Sequence, residues 1–397
     1  MGPLILRDIL FIEPYDGGSH RAFREGLTRH CRHRLTALTL PARFWKWRMR
    51  GAAVWFADRL AAGPPAACDL ILATGMLNLA DLRGLLPPPL DRLPMLLYLH
   101  ENQLTYPLSP DEEFDFHFGF TNILSALAAD RVVFNSDWHR QVFLDSLPDY
   151  LARMPEAVPA GVRPRLEARS GVCAVGLERT PLPAEHYPRY RGGACRPEAG
   201  PPWPRGERPL LLWNHRWEFD KRPELFAAAV GRLLDAGLDF EVALVGDARA
   251  EHEAFAALRP RLGGRCVAWG HLPERADYDR LLERADIVVS CAAQEYFGIS
   301  VAEAIHAGCY PVLPRGQVYP ALYGSRCKGR HFYPDGDLEG LVALLGDLIG
   351  GDSCGHVCSL DRDIDPCCWP RLAPVWDGLL EEVAAAGRLR PGPGASP

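Results

Sequence analysis

Two carboxylates, Glu295 and Glu303, stand eight positions apart in the run QEYFGISVAEAIHAGCYPVL, Gln294 to Leu313. An apolar strand expected over Ile287–Ser290 ends just before them, and Gly298 opens a helix expected over Gly298–Ala307. Glu295 then falls in the loop, and Glu303 within the first turn and a half of the helix. Amides at Gly298, Ile299 and Ser300 would face out of the helix N-terminus, where unpaired N–H groups and the helix dipole suit a diphosphate. One turn deeper, Glu303 can accept hydrogen bonds from a ribose diol, and Glu295 can accept them from sugar hydroxyls. Glu303 also reads more simply as an acid favoured by the helix dipole.

Upstream, WNHRWEFDKRPE (Trp213–Glu224) sets Arg216 and Lys221 between a buried strand and a helix. Open α/β sheets bind ligands there, beyond the carboxyl ends of their strands. A planar guanidinium and a compact ammonium together suit a pyrophosphate. Lys46, Lys221 and Lys328 are the only lysines among 44 basic residues, which draws attention to Lys221. A solvated basic turn is the alternative. Near the N-terminus, EPYDGGSH (Glu13–His20) places Gly17, Gly18 and Ser19 at a strand-to-helix turn. Adjacent glycines let backbone amides approach an anion at the following helix. The pattern is not G-x-G-x-x-G, so a dinucleotide fingerprint is not supported. A tight turn with Ser19 as N-cap is the other reading.

A third constellation is RFWKWRMR, in which Arg43, Lys46, Arg48 and Arg50 interleave with Trp45, Trp47 and a phenylalanine. Cations neutralise phosphates and aromatic rings stack on unpaired bases, so this segment is the candidate RNA contact. Arg29, Arg32, His33 and Arg34 lie close before it, and Arg163, Arg165 and Arg169 are the next candidates. An amphipathic segment that buries its aromatics is the alternative.

The elements that must position these groups follow from the hydrophobic pattern. The chain has 397 residues, 48% hydrophobic and 24% charged, which excludes wholesale disorder and fibrous repeats. A net charge of −6 excludes a polycation and makes a focused basic patch necessary for any RNA contact. Apolar runs at Ile5–Ile12, Leu35–Leu40, Leu70–Ala73, Met95–Leu99 and Val132–Phe134 alternate with helical segments near Ser19–Cys31, Asn122–Ala129 and Ser136–Leu147. Prolines crowd the stretch from Leu147 to Glu207, which reads as a linker region interrupted by one strand-like run, Val172–Val175. A second alternation follows, with strands at Leu210–Trp213, Phe240–Val245, Cys266–Trp269, Ile287–Ser290 and Tyr310–Leu313. Its helices are expected near Pro223–Ala236, Glu251–Leu262, Tyr278–Arg284 and Gly298–Ala307.

This predicts an α/β protein of two doubly wound, Rossmann-like domains facing a cleft. The expected boundaries are a first Rossmann-like domain over 1–180, a Pro-rich linker over 181–207 and a second over 208–368. A C-terminal helix over 369–388 would pack back on the first domain, before a disordered tail over 389–397. Arg7 and Asp8 inside the first apolar run make it a strand, not a signal peptide, and Leu6 stands where a myristoylation signal carries Ser or Thr. No run suits a membrane span, so a cytoplasmic protein with reduced cysteines is expected. Cys354, His356, Cys358, Cys367 and Cys368 cluster near the end, but their spacing fits no zinc pattern, and free thiols are the reading adopted.

Glu295 and Glu303, with Arg216 and Lys221 upstream, resemble the site of retaining GT-B glycosyltransferases of family 4. FIEPYDGGSH, LHENQLTYP (Leu99–Pro107), FGFTNILSALAADRVVFNS (Phe118–Ser136), WNHRWEFDKRPE and GCYPVLPRGQVYP (Gly308–Pro320) resemble more closely the tRNA-queuosine mannosyltransferases, over roughly Ile5–Leu345. The resemblance implies the GT-B fold, a GDP-mannose donor, a queuosine-bearing tRNA anticodon as acceptor and retention of the α configuration. It also implies that Glu303 binds the ribose, Glu295 the donor sugar, and Arg216 and Lys221 the diphosphate. Gly17 and Gly18 would face the phosphates, and His100 would lie near the donor sugar. His20 and Glu101 fall in matching segments without an assigned role. Negative charge developing on the leaving diphosphate would be met by Arg216, Lys221 and a helix N-terminus without a metal. Accordingly no D-x-D stands where a metal-dependent sugar transferase needs one, and the DRDID run (Asp361–Asp365) is placed in an irregular tail. Front-face attack within an ion pair, the β-phosphate oxygen taking the acceptor's proton, is the mechanism the resemblance implies. A family 4 transferase with a lipid or polysaccharide acceptor, and a non-catalytic RNA-binding protein on a transferase scaffold, are the alternatives.

Overall fold

A computed structural model describes residues 6–182, 208–247, 252–324, 330–350 and 360–387. The chain divides into two compact units: Met1–Glu178 with Cys367–Pro397, and Arg179–Pro366. The expected linker and tail lie largely outside the described residues.

In the first unit, strands β1 (Asp8–Asp16), β2 (Arg34–Pro41), β3 (Leu70–Thr74), β4 (Met95–Leu99), β5 (Arg131–Phe134) and β6 (Ser170–Val172) alternate with helices. These are α1 (Gly18–His30), α2 (Trp45–Ala62), α3 (Leu79–Leu85), α4 (Phe116–Ala128), α5 (Asp137–Leu151) and α6 (Val162–Arg169). The six strands form one parallel sheet in the order β2-β1-β3-β4-β5-β6. Every residue of β3 and β4 is buried, which is why they read as unbroken apolar runs: helices cover both faces of a parallel sheet. At the sheet edge, no residue of β2 is fully buried.

The second unit repeats the scheme with β7 (Leu210–Trp213), β8 (Glu241–Val245), β9 (Cys266–Gly270), β10 (Ile287–Val289), β11 (Tyr310–Pro314) and β12 (Phe332–Tyr333). Its helices are α7 (Pro223–Asp235), α8 (Glu253–Leu262), α9 (Arg275–Arg284), α10 (Ile299–His306), α11 (Tyr319–Tyr323), α12 (Leu338–Ile349) and α13 (Leu360–Ile364). The parallel sheet runs β12-β11-β10-β7-β8-β9. The strand order reverses beside β7 and β10, and ligands of open α/β sheets gather at such a point.

The last helix, α14 (Trp369–Gly387), belongs to the first unit. Trp376 packs against Phe23 and Tyr98 at ring-centroid distances of 5.1 and 5.0 Å. Trp369 lies so close to α1 that a Cβ on Gly26 would sit 2.0 Å from its Nε1, and one on Gly176 2.1 Å from its Cε2. Only glycine admits that approach. Asp377 accepts from the Cys31 thiol at 2.9 Å and the Arg32 amide at 3.1 Å.

Several expectations need correction. The region from Leu147 is not a linker up to Glu178: α5 continues to Leu151, α6 follows, and β6 pairs with β5 through Val132↔Ser170. The strand expected at Val172–Val175 is therefore Ser170–Val172. The irregular connection between α5 and α6 hid a sheet edge. Helices α2, α3, α6, α11 and α12 lie outside the expected elements. The DRDID run is not in an irregular tail: its first four residues lie in α13, and Asp365, in the turn that follows, accepts from the Leu182 amide at 2.7 Å. Cys354, His356 and Cys358 lie outside the described residues. No helix among the described residues is long and apolar enough to cross a membrane.

Candidate active site

In the second unit, the loop after β7 carries Arg216 and a short turn that buries Lys221. Lys221 Nζ donates to the Gln294 carbonyl at 2.7 Å and to Glu295 Oε2 at 3.0 Å, and lies 3.1 Å from Asp220 Oδ2. An ammonium has three donors, so these three acceptors satisfy it. Burial alone would lower its pKa, but Glu295 and Asp220 outweigh that and keep it above the ordinary lysine range. Sequence spacing grouped Lys221 with Arg216; the fold groups it with Glu295. The half-exposed Arg216 pairs with Glu218 at 2.6 Å and lies 3.4 Å from Asp220. His215, missed in the sequence, is buried beside them with Nε2 unpaired, and burial followed by the Lys221 charge pulls it down to about 4. Its carbonyl lies against the end of β8: a Cβ on Gly246 would sit 1.9 Å from it, which requires glycine.

Gly298 caps α10 with φ 79°, a left-handed conformation that favours glycine, and starts the helix beside Glu295. Ile299 and Ser300 form the first turn, so the amides expected at the helix N-terminus are there. Glu303 is buried on α10, and burial raises its carboxyl above the ordinary range despite Arg275. Arg275, from the start of α9, pairs with Glu303 at 2.8 Å and with Asp279 at 3.0 Å. Asn214 Nδ2 reaches Tyr278 Oη at 2.9 Å and the Ser300 carbonyl at 2.8 Å, tying β7 to α9 and α10. Arg275, Asn214 and Tyr278 escaped the sequence reading because nothing local links them to Glu303.

In the first unit, the turn after β1 makes Gly17, not Ser19, the N-cap of α1, and no side chain caps it. Gly18 has φ 51° and, like Ser19, is exposed. The Ser19 N-cap reading fails because the helix begins two residues earlier than that cap would set it. His20 in that first turn is buried. Its Nδ1 lies 3.1 Å from Glu13 Oε1 and its Nε2 3.1 Å from Glu101 Oε1. Burial opposes a charge there, but the two carboxylates outweigh it and raise His20 well above the ordinary histidine value. His100 lies against it, ring centroids 4.1 Å apart. Burial, then the His20 charge, push His100 well below the ordinary value, leaving it neutral with Nε2 unpaired.

The cation–aromatic run begins helix α2 and splits in two. Trp45 packs on Phe118 at 5.0 Å, Lys46 pairs with Glu112 at 2.8 Å, and Arg50 pairs with Asp115 at 2.5 Å. Phe44 has φ 56° and is 72% exposed, and Trp47 is 65% exposed. Arg43 and Arg48 lie near enough that the Arg43 charge adds to burial in lowering Arg48. The other basic residues form surface ion pairs: Arg29 with Glu178, Arg32 with Glu381, Arg34 with Asp8 and Arg163 with Asp145. His33 meets the Asp377 carbonyl, and Arg169 donates to the Leu127 and Ala129 carbonyls, whereas Arg165 stays exposed.

Comparison with known proteins agrees with this division. Residues 8–177 match the family described as tRNA-queuosine alpha-mannosyltransferase N-terminal, and residues 201–351 match glycosyl transferases group 1. A Drosophila melanogaster tRNA-queuosine alpha-mannosyltransferase is 36% identical over 320 residues, covering 79% of this chain and 81% of that protein. Among solved structures, sucrose-phosphate synthase from Thermosynechococcus elongatus superposes with a TM-score of 0.64 at 14% identity, over 96% of this chain and 100% of that one. A lipopolysaccharide outer core galactosyltransferase gives 0.55 at 11% identity, over 94% and 99%. These likenesses show the GT-B fold. With a relative this similar over both units, the chain belongs to the tRNA-queuosine alpha-mannosyltransferase family of glycosyltransferases.

Proposed function

We propose that this protein transfers mannose from GDP-mannose to the queuosine of a tRNA, retaining the α configuration and requiring no metal. One observation carries the reading: a queuosine-transferase relative matches the chain across both units, and the second unit gathers Lys221, Glu295, Glu303 and the α10 N-terminus at the carboxyl ends of β7 and β10. The α10 amides receive the diphosphate, Glu303 the ribose diol and Glu295 the sugar hydroxyls. As the bond between C1 and the phosphate oxygen breaks, charge grows on the diphosphate, and Arg216 and the buried Lys221 stabilise it. Gly17, Gly18 and Ser19 belong to phosphate binding, and neutral His100 to the sugar, on the strength of the resemblance. The phosphate oxygen accepts the acceptor's proton. Arg43, Trp47 and Arg48 contact the RNA. Such an enzyme works where tRNA is, in the cytoplasm. Incubation with labelled GDP-mannose and queuosine-containing tRNA tests the reading. A hexose on the modified nucleoside, found by mass spectrometry, supports it; no transfer, or transfer equally to tRNA lacking queuosine, refutes it.

A further inference from the structure

A buried hydrogen-bonded chain in the first unit is left over by the donor chemistry. Glu13, at the end of β1, is fully buried. Its Oε1 accepts from the Tyr15 amide at 2.9 Å, from Thr74 Oγ1 at 2.9 Å and from His20 Nδ1 at 3.1 Å. Two of these donors fix the carboxylate before His20 meets it. The other nitrogen of His20 meets Glu101 just beyond β4, and only the Glu101 end of the chain reaches solvent, its side chain 18% exposed. Tyr15 stands edge-on to His20 at 5.9 Å, and the His100 ring lies against it, tilted by 32°, at 4.1 Å. A histidine bonded on both ring nitrogens between two carboxylates has one orientation available. Its charge sits in the first turn of α1, where the helix dipole disfavours a cation, so the carboxylates must hold it there. A packing role does not call for such a group.

We propose that Glu13, His20 and Glu101 form a relay that presents the Glu101 carboxylate to the vicinal hydroxyls of the acceptor nucleoside. The inference rests on the reading of the chain as a queuosine transferase. All three residues fall within 8–177, the stretch matched by the queuosine-specific family, whereas the general group 1 match covers the second unit. Residues that distinguish this acceptor from those of other group 1 transferases belong in the first stretch. A carboxylate is acceptor-only and can take hydrogen bonds from both hydroxyls of a diol. Glu101 thereby orients the attacking oxygen, and His20 is a positioning residue held by Glu13. In the transfer step the bond from C1 to the phosphate oxygen breaks and the bond from C1 to the acceptor oxygen forms. The hydroxyl proton leaves with the diphosphate, and Glu101 takes up no proton in the step.

The test uses the full chain, GDP-mannose and queuosine-containing tRNA. Glu101→Gln should lower kcat for transfer about 10²-fold, the scale of a lost orienting contact, with the calorimetric Kd for GDP-mannose unchanged. Glu101→Asp should recover part of the rate, since the carboxylate remains. His20→Gln should show the same split between transfer and donor binding to a smaller degree. Because Glu101 is partly exposed, its variants keep the test valid even where His20→Gln fails to fold. Wild-type transfer with an unimpaired Glu101→Gln enzyme would overturn the relay alone. So would a parallel loss of GDP-mannose affinity, which would place Glu101 on the donor. No transfer by the wild-type protein would instead remove the functional reading and the relay with it.

Discussion

Arg275 grips the buried Glu303 carboxylate at 2.8 Å, although the two residues come from different helices. Burial raises Glu303 above the ordinary carboxylate range, and Arg275 is the charge that most opposes the shift. Removing Arg275 therefore raises Glu303 further and favours its protonated form. Arg275→Ala should weaken GDP binding by about 10–100-fold, the worth of a charged hydrogen bond. The loss should shrink as pH rises and Glu303 ionises again. Calorimetric titration from pH 6 to 9 checks this; a loss independent of pH would mean that Arg275 touches the nucleotide itself.

Arg216 and Lys221 should differ when removed. Arg216 is half-exposed, so Arg216→Ala should leave the melting temperature nearly unchanged and lower kcat about 10²–10³-fold, as for a lost oxyanion contact. Lys221→Ala removes the cation that Glu295 and Asp220 share in a buried cluster, which costs about 3–5 kcal/mol of stability besides activity. Kinetics alongside urea denaturation separate the two effects. A rise in KM with unchanged kcat for Arg216→Ala would mean it only holds the donor.

If protein groups supply the counter-charge to the diphosphate, chelation should leave most of the rate. Mannosyl transfer measured with and without EDTA decides this. Complete loss restored by magnesium or manganese would show that a metal carries the charge instead.

The start of α2 should separate into a structural and an RNA-facing half. Trp45→Ala should destabilise the first unit, because its ring packs on Phe118. Trp47→Ala should leave stability intact and weaken tRNA binding by about 1–3 kcal/mol if the exposed ring stacks on a base. Removing Arg43 and Arg48 should flatten the log–log salt dependence by about 0.7–0.9 per lost phosphate contact. Lys46→Ala and Arg50→Ala should flatten it less, since Glu112 and Asp115 already engage those charges. An unchanged salt slope in well-folded Arg43 and Arg48 variants would make the patch structural and direct attention to Arg165.

Buried neutral histidines predict acid sensitivity. His139 is depressed to about 3 and His215 to about 4, both by burial, and His100 shifts the same way. Below about pH 6.5 the unfolded chain takes up protons that these folded residues refuse, so stability falls with pH. Each group contributes about 1.4 kcal/mol per pH unit between its unfolded and folded values. His20 has the opposite sign: its contribution is fully present below about pH 6.5 and is lost only as pH rises through its raised folded value. Urea melts from pH 7 to 4 should steepen accordingly, and His215→Gln should make the slope shallower in the second unit.

The sequence by itself determined the two alternations of strand and helix, because strands buried between helix layers must be apolar on both faces. It also placed Gly298 and Glu303 on one short helix and Lys221 in the loop after β7, since those relations are local along the chain. Helix α2 stayed hidden because Trp47, Val54 and Trp55 point outward and blur the apolar face on which helix periodicity depends. Only the tertiary structure decided which charges meet. Lys221 lies with Glu295 instead of with its neighbour Arg216, Glu303 finds Arg275, and His20 joins Glu13 to Glu101 across three elements. Parallel sheets bring loops distant in sequence to one edge, and a buried charge takes whichever partner that edge supplies, a choice that spacing along the chain does not encode.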